Sequence, residues 1–354
     1  MSNPQITHIA TAVPERQYTQ TEVVDRYLVR LPNQSREMAI RGIFKRSGVE
    51  TRYTVADEAF FSVPRGTYDR NNRYMEAAVP LGRDALEKLF AASDYTPQDV
   101  DAFSVVSCTG YNVPGLDLHL AQQLQMRPDL RRTCVLGMGC YGAIPGLRNA
   151  YDSIMSGNSR VALVLALELC SLHLQFDGSS ESVVSASLFA DGAAAALVTR
   201  DDVLDTAASP LPRIVNFKTQ CDYNTLDDMS FTLTDQGFRM YLSSYVPQIL
   251  ASNVETFIAD LISPCDLAID DITTWAIHPG SRKIVDFVRD QLGLSPESVA
   301  SSHEILRDYG NMSSATILFV LQHIQQTQRP PRGSYGVMMA FGPGLTMEGI
   351  LIQW

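Results

Sequence analysis

Apolar residues in this chain gather in short runs. DAFSVVSC (101–108), RVALVLALEL (160–169), TTWAIH (273–278) and YGVMMAF (335–341) each have the length and composition of a strand. Between them the apolar positions move to helical spacing, as at Ala143, Ile144, Leu147, Ala150, Tyr151, Ile154 and Met155, and again at Ile284, Val285, Val288 and Leu292. Nearly continuous apolar strands alternating with amphipathic helices predict a mixed α/β fold whose central strands are covered on both faces.

The polar, proline-containing stretch TRDDVLDTAASPLPR (199–213) is the best seam, dividing the chain into halves of residues 1–205 and 206–354. FADGAAAALV (189–198) and FGPGLTMEGILI (341–352) both run from a glycine-rich turn into an apolar strand, a faint echo of internal duplication.

With 354 residues, 45% hydrophobic and 19% charged, the chain has material for a large core, which excludes disordered and fibrous classes. No run reaches the roughly 18 consecutive apolar residues of a membrane span. The N-terminal residues lack the basic-then-apolar pattern of a signal peptide, so a cytoplasmic location is expected. Six scattered cysteines, at 108, 134, 140, 170, 221 and 265, offer neither zinc-ligand spacing nor a disulfide framework; reduced thiols, mostly in the core, are expected. A formal charge of −11 argues against nonspecific nucleic-acid binding, and a phosphorylated ligand would need a local basic cluster.

Three places carry candidate chemistry. Cys140 lies between the apolar piece TCVLGMG and the helical run beginning near Ala143, with Pro145 compatible only with the first turn and Gly157 as the stop. A thiol beside a helix N-terminus is expected to have its pKa lowered, and the glycines at 137, 139 and 142 let a substrate approach the backbone. Taken alone, Cys140 also reads as one more small buried residue. His278 ends an apolar strand ahead of Pro279-Gly280 and a helix that Ser281 is placed to cap, where open α/β sheets hold ligands; an inert turn histidine is the other reading. Asn311 follows Gly310 before an apolar helical run, and reads either as a fixed amide donor or as a plain helix cap.

Together the blocks GMGCYGA (137–143), SLFADGAAA (187–195), WAIHPG (275–280), YGNMSSAT (309–316) and AFGPGLTMEG (340–349) resemble the chalcone-synthase-like type III polyketide synthases, in family order from about residue 8 onward. The resemblance implies a thiolase-like five-layered αβαβα fold of two pseudo-duplicated halves, a homodimer, malonyl-CoA and acyl-CoA as substrates, and no metal or redox cofactor. It also implies Cys140 as the acyl-carrying nucleophile, with His278 and Asn311 as donors to the thioester oxygen of malonyl-CoA during decarboxylation.

By the same resemblance Phe189 is expected as an aromatic gate between the CoA tunnel and the reaction cavity. KRSGVETRY (45–53) resembles the segment that meets the CoA phosphates, which nominates Arg46 and Arg52, with Arg282 and Lys283 adding charge at the tunnel mouth. Cys108, Cys170 and His173 stand at expected cavity positions and differ from a chalcone former. Cys108 recurs in enzymes that make naphthalene products from malonyl units alone. The stretch NTLDDMSFTLTDQGFRMYLSSYVP (224–247), with Phe231, is instead similar to bacterial alkylresorcinol and alkylpyrone synthases, which favours a fatty acyl starter.

Among rivals, a ketosynthase III shares the fold and the three residue types, but the FGPGLTMEG ending and the Phe189 context speak against it. A papain-like hydrolase lacks its local cysteine signature here. A non-catalytic relative would be expected to have lost one of the three residues.

Overall fold

The computed structural model describes residues 3–33, 35–200, 210–243 and 246–354, with residue 242 and residues 246–252 described by backbone alone. Part of the expected seam, 201–209, therefore lies outside the described residues.

Among the described residues thirteen strands run in chain order as β1 (Gln5–Ala12), β2 (Gln17–Thr19), β3 (Thr51–Tyr53), β4 (Ala102–Val106), β5 (Arg131–Val135), β6 (Val161–Leu169), β7 (Asp191–Thr199), β8 (Arg213–Cys221), β9 (Met229–Thr234), β10 (Gly237–Leu242), β11 (Ile272–Ile277), β12 (Tyr335–Gly342) and β13 (Thr346–Gln353). Nine of them pair in the order β11-β12-β13-β8-β1-β7-β6-β4-β5. In one part β1 is antiparallel to β7, β7 antiparallel to β6, and β6 parallel to β4. The other part repeats this as β8 with β13, β13 with β12, and β12 with β11. The faint duplication in the sequence is thus a repeated strand topology. Between β1 and β8 the register holds one pair, Gln5 with Arg213, so the two parts meet at a corner.

Alternation along the strands sorts side chains into layers. Leu163, Leu165, Leu167 and Leu169 of β6 face the long helix Thr67–Ala91, packing with its Ala78, Leu86 and Leu89. Their neighbours Ala162, Val164 and Ala166 turn to the other face, where Ile144 and Leu147 of the helix Ala143–Met155 and Leu318 and Leu321 of the helix Thr316–Thr327 fill the middle of the molecule. That middle layer also receives Met338, Ala340, Ile350 and Ile352 from β12 and β13, while Val337, Met339 and Leu351 face outward onto Phe257 and Val285 of the last helical layer. Helix, sheet, helix, sheet, helix follow in that order, the five layers expected.

The expectation that the thiols lie mostly in the core needs correction. Only Cys140 and Cys170 of the six free thiols are buried, while Cys134 and Cys221 are exposed. Cys134 is on β5, the last strand in the sheet order, where residues 131–134 are all exposed. No helix among the described residues is long and apolar enough to cross a membrane.

Candidate active site

Cys140 sits in a single tight turn, Gly139–Tyr141, between β5 and the helix Ala143–Met155. Gly139 has φ +66°, and a Cβ there would lie 2.6 Å from Cδ of Pro343, so the turn and the GPG loop fit only with glycine at that position. Pro145 falls in the first helical turn and Gly157, with φ +76°, follows its end, as the spacing predicts.

His278 continues β11 by one residue, its N–H donating to Met339 O at 2.8 Å. The next turn closes through Gly280 N–H to His278 O at 2.9 Å, and Ser281 caps the helix Arg282–Gln291 through Ile284 N–H. Asn311 follows Gly310 (φ +73°) and is stitched to the loop at Phe189 by two backbone bonds of 2.9 Å, from Asn311 N–H to Leu188 O and from Ala190 N–H to Asn311 O. Its side chain accepts from Ser313 N–H at 2.8 Å and donates to Gly280 O at 3.2 Å, which ties it to the turn after His278.

Cys140, His278 and Asn311 line one cavity together with Phe189, Ser281 and Ile284. Both ring nitrogens of His278 are buried without a hydrogen-bond partner among the described residues, so they are available to a bound group. Burial pushes the Cys140 thiol up to about 11 and the His278 imidazole down to about 3. The expected lowering of the thiol pKa by the helix N-terminus is therefore outweighed by desolvation. The side chains of Ser313 and Asn311 favour the thiolate but do not reverse the shift.

A second cavity, about 630 Å³ and partly open to solvent, shares Cys140, Phe189 and Met240 with the first. Cys108, Cys170, His173 and Phe231 all line it, so the cavity residues named from sequence come together, with Phe189 between the two spaces. Sequence reading missed Phe238 and Met240, which alternate on β10 toward the cavity; the period-two pattern GFRMYL was the available signal. Phe238 stacks on Phe231 at 4.8 Å between centroids. Glu168, wholly buried behind the cavity, accepts from Cys108 N–H, Thr109 Oγ1 and Ser314 Oγ, and was also missed because an acidic residue inside an apolar strand gives no local sign of its partners.

The basic residues divide. Arg46, Arg282 and Lys283 are exposed, and the two basic segments adjoin, a Cβ on Gly48 falling 3.0 Å from that of Arg282. Arg52 corrects the expectation. It is 1% exposed and donates to the carbonyls of Ala186, Ser187 and Phe189, so its guanidinium is spent inside the protein and does not face a CoA phosphate. Among the described residues no cluster of three or more His, Cys, Asp or Glu could hold a metal ion.

Residues 2–202 match the family of chalcone and stilbene synthases, N-terminal domain, and residues 219–354 match the corresponding C-terminal domain. The chain is 30% identical to a 1,3,6,8-tetrahydroxynaphthalene synthase of Streptomyces peucetius subsp. caesius, over 99% of this chain and 93% of the relative. It is 31% identical to the alpha-pyrone synthesis polyketide synthase-like Pks18 of Mycobacterium tuberculosis, over 98% and 90%. The solved structure of PKS-I from the brown alga Ectocarpus siliculosus superposes with a TM-score of 0.93 at 28% identity, covering 100% of this chain and 98% of that one.

Proposed function

The chain belongs to the chalcone and stilbene synthase family as a type III polyketide synthase, and from that premise we propose that it extends a fatty acyl starter with malonyl-CoA and cyclises the product to an alkylpyrone or alkylresorcinol. Cys140 is the nucleophile. Its proton passes to the neutral imidazole of His278, the thiolate attacks the acyl-CoA carbonyl, and the departing CoA sulfur takes the proton back. Malonyl-CoA then loses carbon dioxide, and the electron pair left behind becomes an enolate whose oxygen accepts hydrogen bonds from His278 and from the amide N–H of Asn311 that Gly280 does not use. The enolate carbon attacks the Cys140 thioester, and the lengthened chain leaves as a CoA thioester or returns to Cys140. Near-complete burial of Cys140 and His278 supports this reading, because it keeps water from the enolate and the thioester.

The observation that carries the fatty starter is the stacked pair Phe231 and Phe238 inside the cavity. Two parallel rings occupy space that a planar aromatic starter needs, whereas a flexible chain bends past them. Cys108 in the same cavity, with the naphthalene-synthase relative, favours a second reading in which malonyl-CoA serves as both starter and extender.

Coenzyme A thioesters are the substrates in either case, with no metal or redox cofactor and a cytoplasmic setting. A homodimer is part of the proposal. The exposed strand β5 and the apolar residues Tyr111, Val113, Leu136 and Met138 form a face suited to a second copy.

The test is incubation with malonyl-CoA and acyl-CoAs from acetyl to palmitoyl, without carrier protein, read by mass spectrometry beside Cys140→Ala. Pyrones or resorcinols that lengthen with the starter support the proposal. A naphthalene product from malonyl-CoA alone selects the second reading. Product only when malonyl-carrier protein is supplied overturns both.

A further inference from the structure

We propose that a third cavity, walled off from the reaction space, is a second ligand site that takes a small neutral phenol through the hydroxyl of Tyr27. The site needs neither turnover nor a particular starter, so it stands apart from the reading above.

The cavity lies beside the helix Gln20–Val29 and is lined by four aromatic rings, Tyr18, Tyr27, Phe61 and Phe176. Tyr27 and Phe176 are tilted by 41° with centroids 5.3 Å apart, and Phe61 meets Phe176 edge-on at 5.1 Å. Walls of this kind take a further ring through stacked or edge contacts. Tyr27 is 2% exposed, and its hydroxyl oxygen is buried with no hydrogen-bond partner among the described residues. A buried hydroxyl without a partner is costly, and an oxygen of a bound molecule removes that cost. Burial raises the Tyr27 pKa, with Asp177 adding to the shift, so the hydroxyl keeps its hydrogen to donate. The other buried hydroxyls of this cavity donate elsewhere: Ser171 Oγ to Asp191 at 2.5 Å, and Thr54 Oγ1 to Ala56 O at 3.0 Å.

Charge at the rim selects a neutral molecule. Asp57 is paired with Arg16 at 3.0 Å, and Glu58 is taken by Arg30. Arg26 lies 4.3 Å from the centre of the Tyr18 ring, and Arg30 lies 5.6 Å from that of Phe61 and 5.8 Å from that of Phe176. With both carboxylates matched and both arginines engaged on rings, neither an anion nor a cation finds an unmatched charge here.

The site is distinct from the reaction space. Cys170 and His173 line the cavity that reaches Cys140, whereas Ser171 between them lines this one. Ser171 is fixed in that orientation by Asp191, which also accepts from its N–H at 2.8 Å, and by Ala56 N–H, which donates to its Oγ at 3.2 Å. Among the described residues Leu174 alone lines both spaces.

The experiment is isothermal titration with 5-pentylresorcinol as the probe, on Cys140→Ala protein held at saturating palmitoyl-CoA so that the reaction cavity is filled. One probe is expected to bind per chain. Tyr27→Phe, which removes only the hydroxyl, is expected to weaken binding about fivefold or more, and Val23→Phe, whose ring fills the cavity, to abolish it. Val23→Phe supplies the comparison if Tyr27→Phe does not fold. Placed in the otherwise intact enzyme, each substitution is expected to leave the rate of product formation within about twofold. Native mass spectrometry after turnover then identifies the source of the ligand: product retained by wild type and lost from Tyr27→Phe makes it the enzyme's own product, and a bound probe without retained product makes it a phenol from outside. Displacement of the probe by palmitoyl-CoA would make the space a continuation of the reaction cavity and overturn the proposal. Equal affinity in wild-type and Tyr27→Phe backgrounds, or no binding at all, would overturn it as well. None of these readings depends on which starter the enzyme uses, so failure here is distinguishable from failure of the fatty-starter reading.

Discussion

The buried guanidinium of Arg52 donates to the carbonyl oxygen of Phe189 at 2.8 Å. It also takes the carbonyls of Ala186 and Ser187, each at 2.7 Å, at the C-terminal end of the helix Ser180–Leu188. A helix end leaves carbonyls without intrahelical partners and carries partial negative charge, and Arg52 answers both. The loop held in this way carries Phe189, and its neighbours Leu188 and Ala190 pair with the backbone of Asn311.

Removing that cation strands the carbonyls of Ala186 and Phe189 away from water, while Ser187 O keeps the amide N–H of Gln20 at 2.9 Å. Arg52→Met is expected to lose about 3 kcal/mol or more of unfolding free energy, at about 1–3 kcal/mol for each unsatisfied group less the gain from burying methionine. Urea denaturation measures it, and a loss below about 1 kcal/mol would show that water reaches these carbonyls.

The exposed basic residues should behave in the opposite way. Arg46→Glu combined with Lys283→Glu is expected to raise the KM for malonyl-CoA about fivefold or more at low salt, with kcat little changed, because exposed charges steer an anionic substrate without touching the reacting atoms. The difference should shrink in 0.5 M salt as screening shortens to about 4 Å. A KM that ignores the double charge reversal places the CoA phosphates elsewhere.

The two arginines of KRSGVETRY show where sequence stops. Their residue type predicts exposure for both, yet Arg52 is the middle residue of the three-residue strand β3 and points inward, while Arg46 ends a helix in solvent. The layers were legible because nine-residue apolar strands can only be buried on both faces, and the turn at Cys140 was legible because its glycines and Pro145 punctuate it. What alternation could not supply was the partner list: Glu168 reads as a charge in an apolar run, and only the fold brings Thr109 and Ser314 to it. The thiol pKa was misjudged because the local effect, a helix N-terminus, is visible in sequence and the larger one, enclosure by distant segments, is not.

The glycine before Cys140, the proposed nucleophile, is open to a sharp test. Gly139→Ala places a Cβ 2.6 Å from Pro343 in a backbone with φ +66°, so Cys140 or the 342–344 loop must move. Strain of about 1–3 kcal/mol is tolerable in a large fold, but an ångström of displacement at the nucleophile costs about a hundredfold in rate. Gly139→Ala should therefore keep its circular dichroism spectrum and lose about 99% of product formation. Product at half the wild-type rate would mean that the loop yields without moving Cys140.

The neutral resting pair at Cys140 and His278 sets an expectation for thiol reactivity against pH. Burial, the largest of several causes, leaves the Cys140 thiol at about 11, so without a proton acceptor almost none is thiolate at pH 7. In the proposed mechanism His278 supplies that acceptor, since proton transfer would create two opposite charges close together instead of one isolated charge. Replacing it by His278→Gln is expected to slow iodoacetamide labelling of Cys140 at pH 7 by about a hundredfold or more, with the rate then rising about tenfold per pH unit toward alkaline pH. Peptide mass spectrometry must follow Cys140 specifically, because the exposed Cys134 and Cys221 also label, whereas burial pushes Cys108 and Cys170 well up. Acid is the wrong side from which to approach. A histidine whose folded pKa is lowered stabilises the fold fully above its unfolded value of 6.5, and that contribution is lost as pH falls from there toward about 3. Between pH 6.5 and 10 the fold keeps this contribution. Identical labelling profiles for wild type and His278→Gln across that range would remove His278 as the base.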